Sequence, residues 1–304
     1  MVARRSGVMP PRPRPPRHTP KAVVYRRRII AVAVLAAGFV LAWFAVDSVG
    51  VGGGDAKPTT TAEIAPKPFK VVFPEGFTRE QMAERVDAVA RIARRERGRK
   101  VRLSSRAYLA ATRRARREPG FGARPLPLEG FLFPATFDFT ARTASAQLVS
   151  KQLEAFRRNW SKVNLGYAHS KNLTPYDVLI IASMVEKETL SPEERQLVAA
   201  VIYNRLHKRM PLQIDATLRY GLHIPPTESI HQSQLDSTNP YNTSKQPGLP
   251  PTPIGNPGLA SLQAAAHPAR VDYLYFVRKP DKIHHFFTVS EQEFTNYKIA
   301  HGYG

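Results

Sequence analysis

Among the acids of this 304-residue sequence, Glu186 has the setting best suited to proton transfer. It ends the apolar run that begins Val178-Leu179-Ile180-Ile181, inside the segment PYDVLIIASMVEKE at 175–188. Wound as a helix, this segment spreads Val178, Leu179, Ile181, Ala182 and Val185 over nearly every azimuth, so most of its sides face protein. Glu186 follows Val185 by one position and Ala182 by four, and shares their inward arc. Glu188 lies about 200° around the helix from it and points elsewhere. A buried carboxyl group has its charged form disfavoured by desolvation. It can therefore hold a proton near neutral pH and give it up, as a general acid does. From the residues alone a second role stays open: a local cap, or an ion pair with Lys187 or Arg195.

Other groups narrow the chemistry. The chain has no cysteine, which excludes disulfides and thiolate metal sites. His284 and His285 are adjacent on an expected strand, so they face opposite sides, and no further ligands cluster near them. No metal and no cofactor is expected. The segment PLPLEGFLFPATFDF at 125–139 gathers aromatic rings around the single acid Glu129. It reads as extended chain with turns, either aromatic core beneath a loop or rings placed to stack on sugar faces.

The elements that would position these groups are legible from their ends. Thr174 as N-cap and Pro175 at the first helical position start the Glu186 helix. Ser191-Pro192-Glu193-Glu194 starts the next one, RQLVAAVIYNRLHKRM, with Leu197, Val198, Val201, Ile202 and Leu206 on one side. The short connection predicts a helical hairpin with Glu186 close to its turn. Upstream, FKVVFPEG at 69–76 has strand composition closed by a Pro-Glu-Gly turn. Thr78 and Gln81 form a capping box before a helix whose apolar stripe is Met82, Val86, Val89, Ile92 and Ala93. Its arginine face reads as solvated surface. A short basic helix is expected over 108–117, another helix over 144–160, and a hairpin of strands at 273–277 and 285–289. Ser290 and Glu293 cap a last short helix. The fold class is α+β.

The formal net charge is +21, but nine of the basic residues stand in the proline-rich tail 1–28, which has no acid. Behind the tail runs IIAVAVLAAGFVLAWFAV at 29–46, uncharged and free of proline. At about 1.5 Å per residue it reaches about 27 Å, enough to span the hydrocarbon core of a bilayer as a transmembrane helix. It is longer than the apolar part of a cleaved signal, and no A-x-A-like site follows. Arg26-Arg27-Arg28 on one flank and Asp47 on the other orient it with the N-terminus in the cytoplasm. The chain beyond is then extracytoplasmic, tethered by a Gly-, Pro- and Thr-rich linker over 47–68. Its basic surface faces anionic lipid or an acidic envelope polymer, and nucleic acid is not an expected partner.

Taken together, LEGFLFPATF (128–137), ASMVEKET (182–189), VAAVIYNRLHKRMPLQIDATLRYGL (198–222), PYNTSKQPGLPPTPIGNPGLASLQAAAHP (240–268) and YLYFVRKPDKIHHFFT (273–288) resemble, in order, the MltG (YceG-like) family of endolytic murein transglycosylases. The resemblance implies a LysM-like module at 69–120 and a YceG-like catalytic domain at 121–304. It implies cleavage of peptidoglycan glycan strands between N-acetylmuramic acid and N-acetylglucosamine, leaving 1,6-anhydromuramic ends and limiting the growth of nascent strands. Glu186 matches the family's catalytic glutamate. Candidate substrate-binding positions are Glu129, Asn204, Gln213, Asp215, Thr217, Tyr241, Asn242, Thr243 and His285. Asp215 also has the chemistry of a second carboxylate, which would favour hydrolysis. Ala216 stands where the family usually has proline, and Ile283 where it usually has glycine. The implied partners are glycan strands, the cytoplasmic membrane, and peptidoglycan synthases or division proteins. A catalytically silent wall-binding scaffold for division is the alternative.

Overall fold

The computed structural model describes residues 68–303 except 99, 114–117 and 123–126. The basic tail, the apolar segment 29–46 and all but the last residue of the linker lie outside them. No helix among the described residues is long and apolar enough to cross a membrane.

Chain order is β1 (Phe69–Val72), α1 (Arg79–Arg97), α2 (Ser105–Arg113), β2 (Thr136–Phe139), α3 (Ser145–Trp160), α4 (Gly166–Ser170) and α5 (Pro175–Glu188). It continues through a 3-10 turn (Pro192–Glu194) into α6 (Arg195–His207), then α7 (Asp215–Leu222), α8 (Gln232–Leu235), α9 (Leu259–Ala266), β3 (Tyr275–Arg278), β4 (His285–Thr288) and α10 (Glu291–Ala300). The described chain is thus mixed α+β. Both sheets are antiparallel pairs. β1 and β2 run from Phe69 opposite Phe139 to Val72 opposite Thr136, and β3 and β4 from Tyr275 opposite Thr288 to Arg278 opposite His285.

The caps at Thr78, Thr174 and Ser290 form as their spacing predicts, whereas Ser191 makes no side-chain cap bond and leads into a 3-10 turn, so that α6 starts at Arg195. Thr78 accepts from Gln81 N while Gln81 Oε1 accepts from Thr78 N, so the first turn of α1 has its free donors satisfied. Thr174 and Asp177 do the same for α5. Along α1 the buried side chains are Met82, Ala83, Val86, Ala90 and Ala93, whereas Ile92 is 44% exposed. The helical twist carries Ile92 roughly 80° off the Met82 line, away from Ala83, which explains why it leaves the expected stripe. On α6 burial extends past one face to Ala199, Ala200, Tyr203 and Arg205, because α5, α9 and β3 all pack against it.

The aromatic segment around Glu129 is core. Phe131 meets Phe121 and Phe156 at centroid distances of 5.0 and 5.2 Å, and Phe121 meets Trp160 at 4.8 Å. All these residues except Trp160 are buried, and Trp160 packs against them. The strand that pairs with β1 ends this segment, so the packing that fixes β2 also fixes where β1 and its turn can lie.

Candidate active site at the end of α5

Every residue of α5 from Val178 to Val185 is buried, and the helix emerges at Glu186, Lys187 and Glu188, each half-buried. Glu186 Oε2 accepts a hydrogen bond from Gly258 N at 2.9 Å. Its Oε1 takes none from the described residues. Gly258 is the N-cap of α9, the helix that lies along α5, so this N–H is presented by a buried and braced element.

The loop before Gly258 is fastened on three sides. Ile254 N donates to Ser183 Oγ at 3.0 Å, which ties it to α5. Gly76 N donates to Asn256 O at 2.8 Å and Asn256 N donates to Phe77 O at 3.0 Å, which ties it to the turn after β1. The Asn256 side chain accepts from Leu132 N and donates to Phe77 O and to Glu129 Oε1, at 2.9, 2.8 and 2.8 Å. Gly255 has to be glycine for this approach: a Cβ there would fall 2.6 Å from the Gly76 carbonyl oxygen.

The fastening brings the Pro74-Glu75-Gly76 turn to Glu186. A Cβ built on Gly258 would lie 1.8 Å from Glu75 Oε1, and its three nearest atoms would all belong to Glu75. One glycine therefore carries the Glu186 carboxylate on its N–H and the Glu75 carboxyl against its Cα. Partial enclosure and then the neighbouring Glu186 charge raise the Glu75 carboxyl above the usual carboxylate range, with Arg195 opposing. Burial lowers the Lys187 ammonium, and the charges of Glu129 and Glu186 partly restore it. Arg195 is steered by a 3.3 Å bond from Nε to Ser261 Oγ.

Around the other side of the helix end, burial pushes the Glu188 carboxyl up to about 7. Asp215 adds to the shift, while Arg278 and the Ala216 N–H oppose it. Asp215 begins α7 and is exposed. Gln213, exposed and left-handed with φ +54°, accepts from Arg205 Nη1 at 2.8 Å. Arg205 is itself buried and also donates to the carbonyls of Leu274, Pro211 and Leu212. Gln213 and Asp215 are thus presented by a loop that a buried guanidinium holds.

Most of the remaining sequence candidates are internal ties, with Tyr241 and Asn204 only half-buried. Glu129 is 1% exposed and accepts from Arg79 N, Asn256 Nδ2 and Tyr220 Oη. Burial pushes its carboxyl up to about 7, with the Glu80 charge adding to the effect. Thr243 Oγ1 accepts from Ile214 N and meets Thr217 Oγ1 at 3.0 Å. Asn242 Nδ2 donates to the carbonyls of Leu235 and Ser237. Tyr241 is half-buried, with its hydroxyl 2.7 Å from Thr252 Oγ1. Asn204 Nδ2 donates to the carbonyls of Val271 and Tyr273, and Asn204 lines a separate hollow of about 690 Å³ with Tyr167, Lys171 and Asp177. His285 is buried against Glu194, with ring Nδ1 2.7 Å from Oε2 and the His285 backbone N–H donating to Oε1 at 2.9 Å.

Three residues at the site carry no strong local sequence signal. Glu75 reads as the middle of a turn, and Asn256 and Gly258 fall within the stretch 240–268 with nothing local to single them out. Their importance comes from contacts between segments far apart in the chain.

Fold and site together define an α+β domain centred on carboxyl groups at the mouth of a buried helix. The chain belongs to the YceG-like family, whose profile matches residues 56–299. It is 37% identical over 155 residues to a Bacillus subtilis protein named endolytic murein transglycosylase, covering 50% of this chain and 42% of that protein. A Streptococcus pneumoniae protein of the same name is 39% identical over 156 residues, covering 49% of this chain and 28% of that protein. The chain thus spans less than half the length of these curated relatives. A crystallised yceG-like protein from Listeria monocytogenes superposes with a TM-score of 0.63 at 29% identity, over 75% of this chain and 76% of that one.

Proposed function

We propose that this protein is an endolytic murein transglycosylase that cleaves the bond between N-acetylmuramic acid and N-acetylglucosamine in glycan strands. The observation that carries this is the placement of Glu186. It stands at the end of a buried helix with Oε2 fixed by the Gly258 N–H and Oε1 turned to no protein partner among the described residues. Membership of the YceG-like family and two relatives bearing this name supply the substrate class.

Glu186 acts first as the acid, giving a proton to the glycosidic oxygen. The bond from muramic C1 to that oxygen breaks, and its electron pair stays with the leaving sugar. The muramic 6-hydroxyl oxygen bonds to C1, and its proton passes to the Glu186 carboxylate, which restores the starting state. No water is consumed. One proton-transferring residue suffices because the attacking hydroxyl belongs to the substrate, and intramolecular attack raises its effective concentration. The Gly258 N–H steadies Glu186 in the interval when it is an anion.

In this reading Gln213, Asp215 and Tyr241 contact the glycan strand. Thr217, Asn242, Thr243, Asn204, His285 and Glu129 act from behind them by fixing the loops. The LysM-like module at 69–120 holds glycan. The segment 29–46 anchors the chain in the cytoplasmic membrane with its N-terminus inside, so the site acts on nascent strands close to synthases and division proteins.

The test is digestion of purified sacculi followed by mass spectrometry of the muropeptides. Wild-type protein is expected to release 1,6-anhydro-ended fragments and Glu186→Gln to release none. A folded Glu186→Gln protein that still releases them would refute the assignment, and a wild-type protein that binds sacculi without cutting them would point to a scaffold.

A further inference from the structure

We propose that Glu75 is a second catalytic carboxylate of this site, acting as an anion against the positive charge that develops on the muramic ring as the glycosidic bond breaks. The proposal rests on the lytic reading of Glu186.

The geometry comes from three elements. The Glu75 carboxyl lies against Gly258 Cα, so closely that any side chain at 258 would overlap it. The N–H of the same Gly258 holds Glu186. The two carboxyl groups are therefore neighbours around one buried residue, on the side where α5 opens to solvent. Glu75 itself is an exposed residue, so a polysaccharide can reach it. Its turn is held to the Gly258 loop by the paired bonds of Gly76, Phe77 and Asn256, which fix the backbone to which the carboxyl is attached.

The role follows from charge. As C1 loses its leaving group, the ring becomes cationic before the 6-hydroxyl closes on it, and a fixed anion lowers that barrier more than it lowers the ground state. Glu75 forms no bond and moves no proton in the step. Glu186 performs both transfers, so the product remains the anhydro sugar.

The charged groups acting on Glu75 are Glu186 from α5 and Arg195 from α6, while Lys187 of α5 reaches the neighbouring Gly76 and Gly255. Gly258 and Asn256 contribute dipoles but no charge. Because partial enclosure raises the Glu75 carboxyl above the usual carboxylate range, its anion is lost on acidification sooner than that of a free glutamate. Activity that needs the anion should fall as pH drops through that titration.

The experiment compares wild type, Glu75→Gln, Glu75→Asp, Gly258→Ala and Glu186→Gln on defined glycan strands, measuring kcat and KM for anhydro-end release against pH. Gly258→Ala evicts the Glu75 carboxyl while keeping the N–H that Glu186 uses. The backbone there, φ −77° and ψ 172°, accepts alanine. The proposal expects Glu75→Gln to lose about 10²-fold in kcat with KM changed little, and to lose the acid limb of the profile. Gly258→Ala should behave alike, and Glu75→Asp should recover part of the rate. Melting curves matching wild type show that the variants fold. Glu75→Gln with wild-type kcat, or with an unchanged acid limb, overturns the role of Glu75 while leaving Glu186 standing. A wild-type Glu186→Gln rate overturns the lytic reading itself. Water-terminated ends from wild type that vanish in Glu75→Gln would make Glu75 the nucleophile or base of a hydrolase and overturn both.

Discussion

Glu129 and Glu186 both stand among apolar residues in the sequence, and the fold uses them in opposite ways. Glu186 comes at the end of its helix, so its run of buried neighbours stops and its carboxyl reaches the surface. Glu129 is flanked on both sides by core residues and is enclosed, with three donors converging on it. The sequence marks each acid as unusual. It does not distinguish reagent from tie, because the donors facing Glu129 come from Arg79, Tyr220 and Asn256, three distant segments. Replacing Glu129 by alanine leaves buried donors unpaired and should cost about 2–4 kcal/mol, measured by chemical denaturation. Its carboxyl sits at about 7 in the fold against an ordinary value of 4.5. The folded protein keeps this proton where the unfolded chain has released it, so stability contributed here is full below pH ~4.5 and declines as pH rises through about 7. Glu129→Gln, which stays neutral, should flatten part of that decline in melting temperature between pH ~5 and ~8. An identical pH dependence in the variant would contradict the assignment.

At the scale of elements, what the sequence shows best is where helices begin. Thr78 with Gln81, Thr174 with Pro175 and Asp177, and Ser290 with Glu293 each cap the helix that their spacing predicts. These are local signals, set within four residues. The loop around Asn256 is the opposite case. Its prolines suggest rigidity, yet its function is to join the turn after β1, the Leu132 segment and the end of α5 through one amide side chain. Asn256→Ala removes bonds to Leu132, Phe77 and Glu129 together. It should lower stability by roughly 2–4 kcal/mol. It should also lower kcat more than Thr174→Ala, a cap substitution of about 1 kcal/mol remote from Glu186. Equal kcat in the two folded variants would show that the loop does not hold the site in register.

For the whole molecule, the decisive contact is the pairing of β1 with β2, which brackets α1 and α2 and ends beyond the expected boundary at 120. Strand composition identified 69–76 but gave no means of choosing its partner, since β2 lies across the aromatic segment that sequence leaves open between core and cleft. One compact unit comprises Ala65–Gly304. A fragment of residues 65–120 therefore lacks its second strand and should give a coil-like circular dichroism spectrum. The fragment 65–304 should melt cooperatively, and a folded short fragment would contradict the shared sheet. The N-terminal segment brings Glu75 beside Glu186 of α5, as the proposed mechanism requires. In the proposed mechanism Glu186 cuts without water. Digesting glycan strands in water enriched in heavy oxygen and weighing the new ends tests it most directly. Anhydro ends carrying no label are the predicted result; reducing ends that incorporate the heavy oxygen would contradict it.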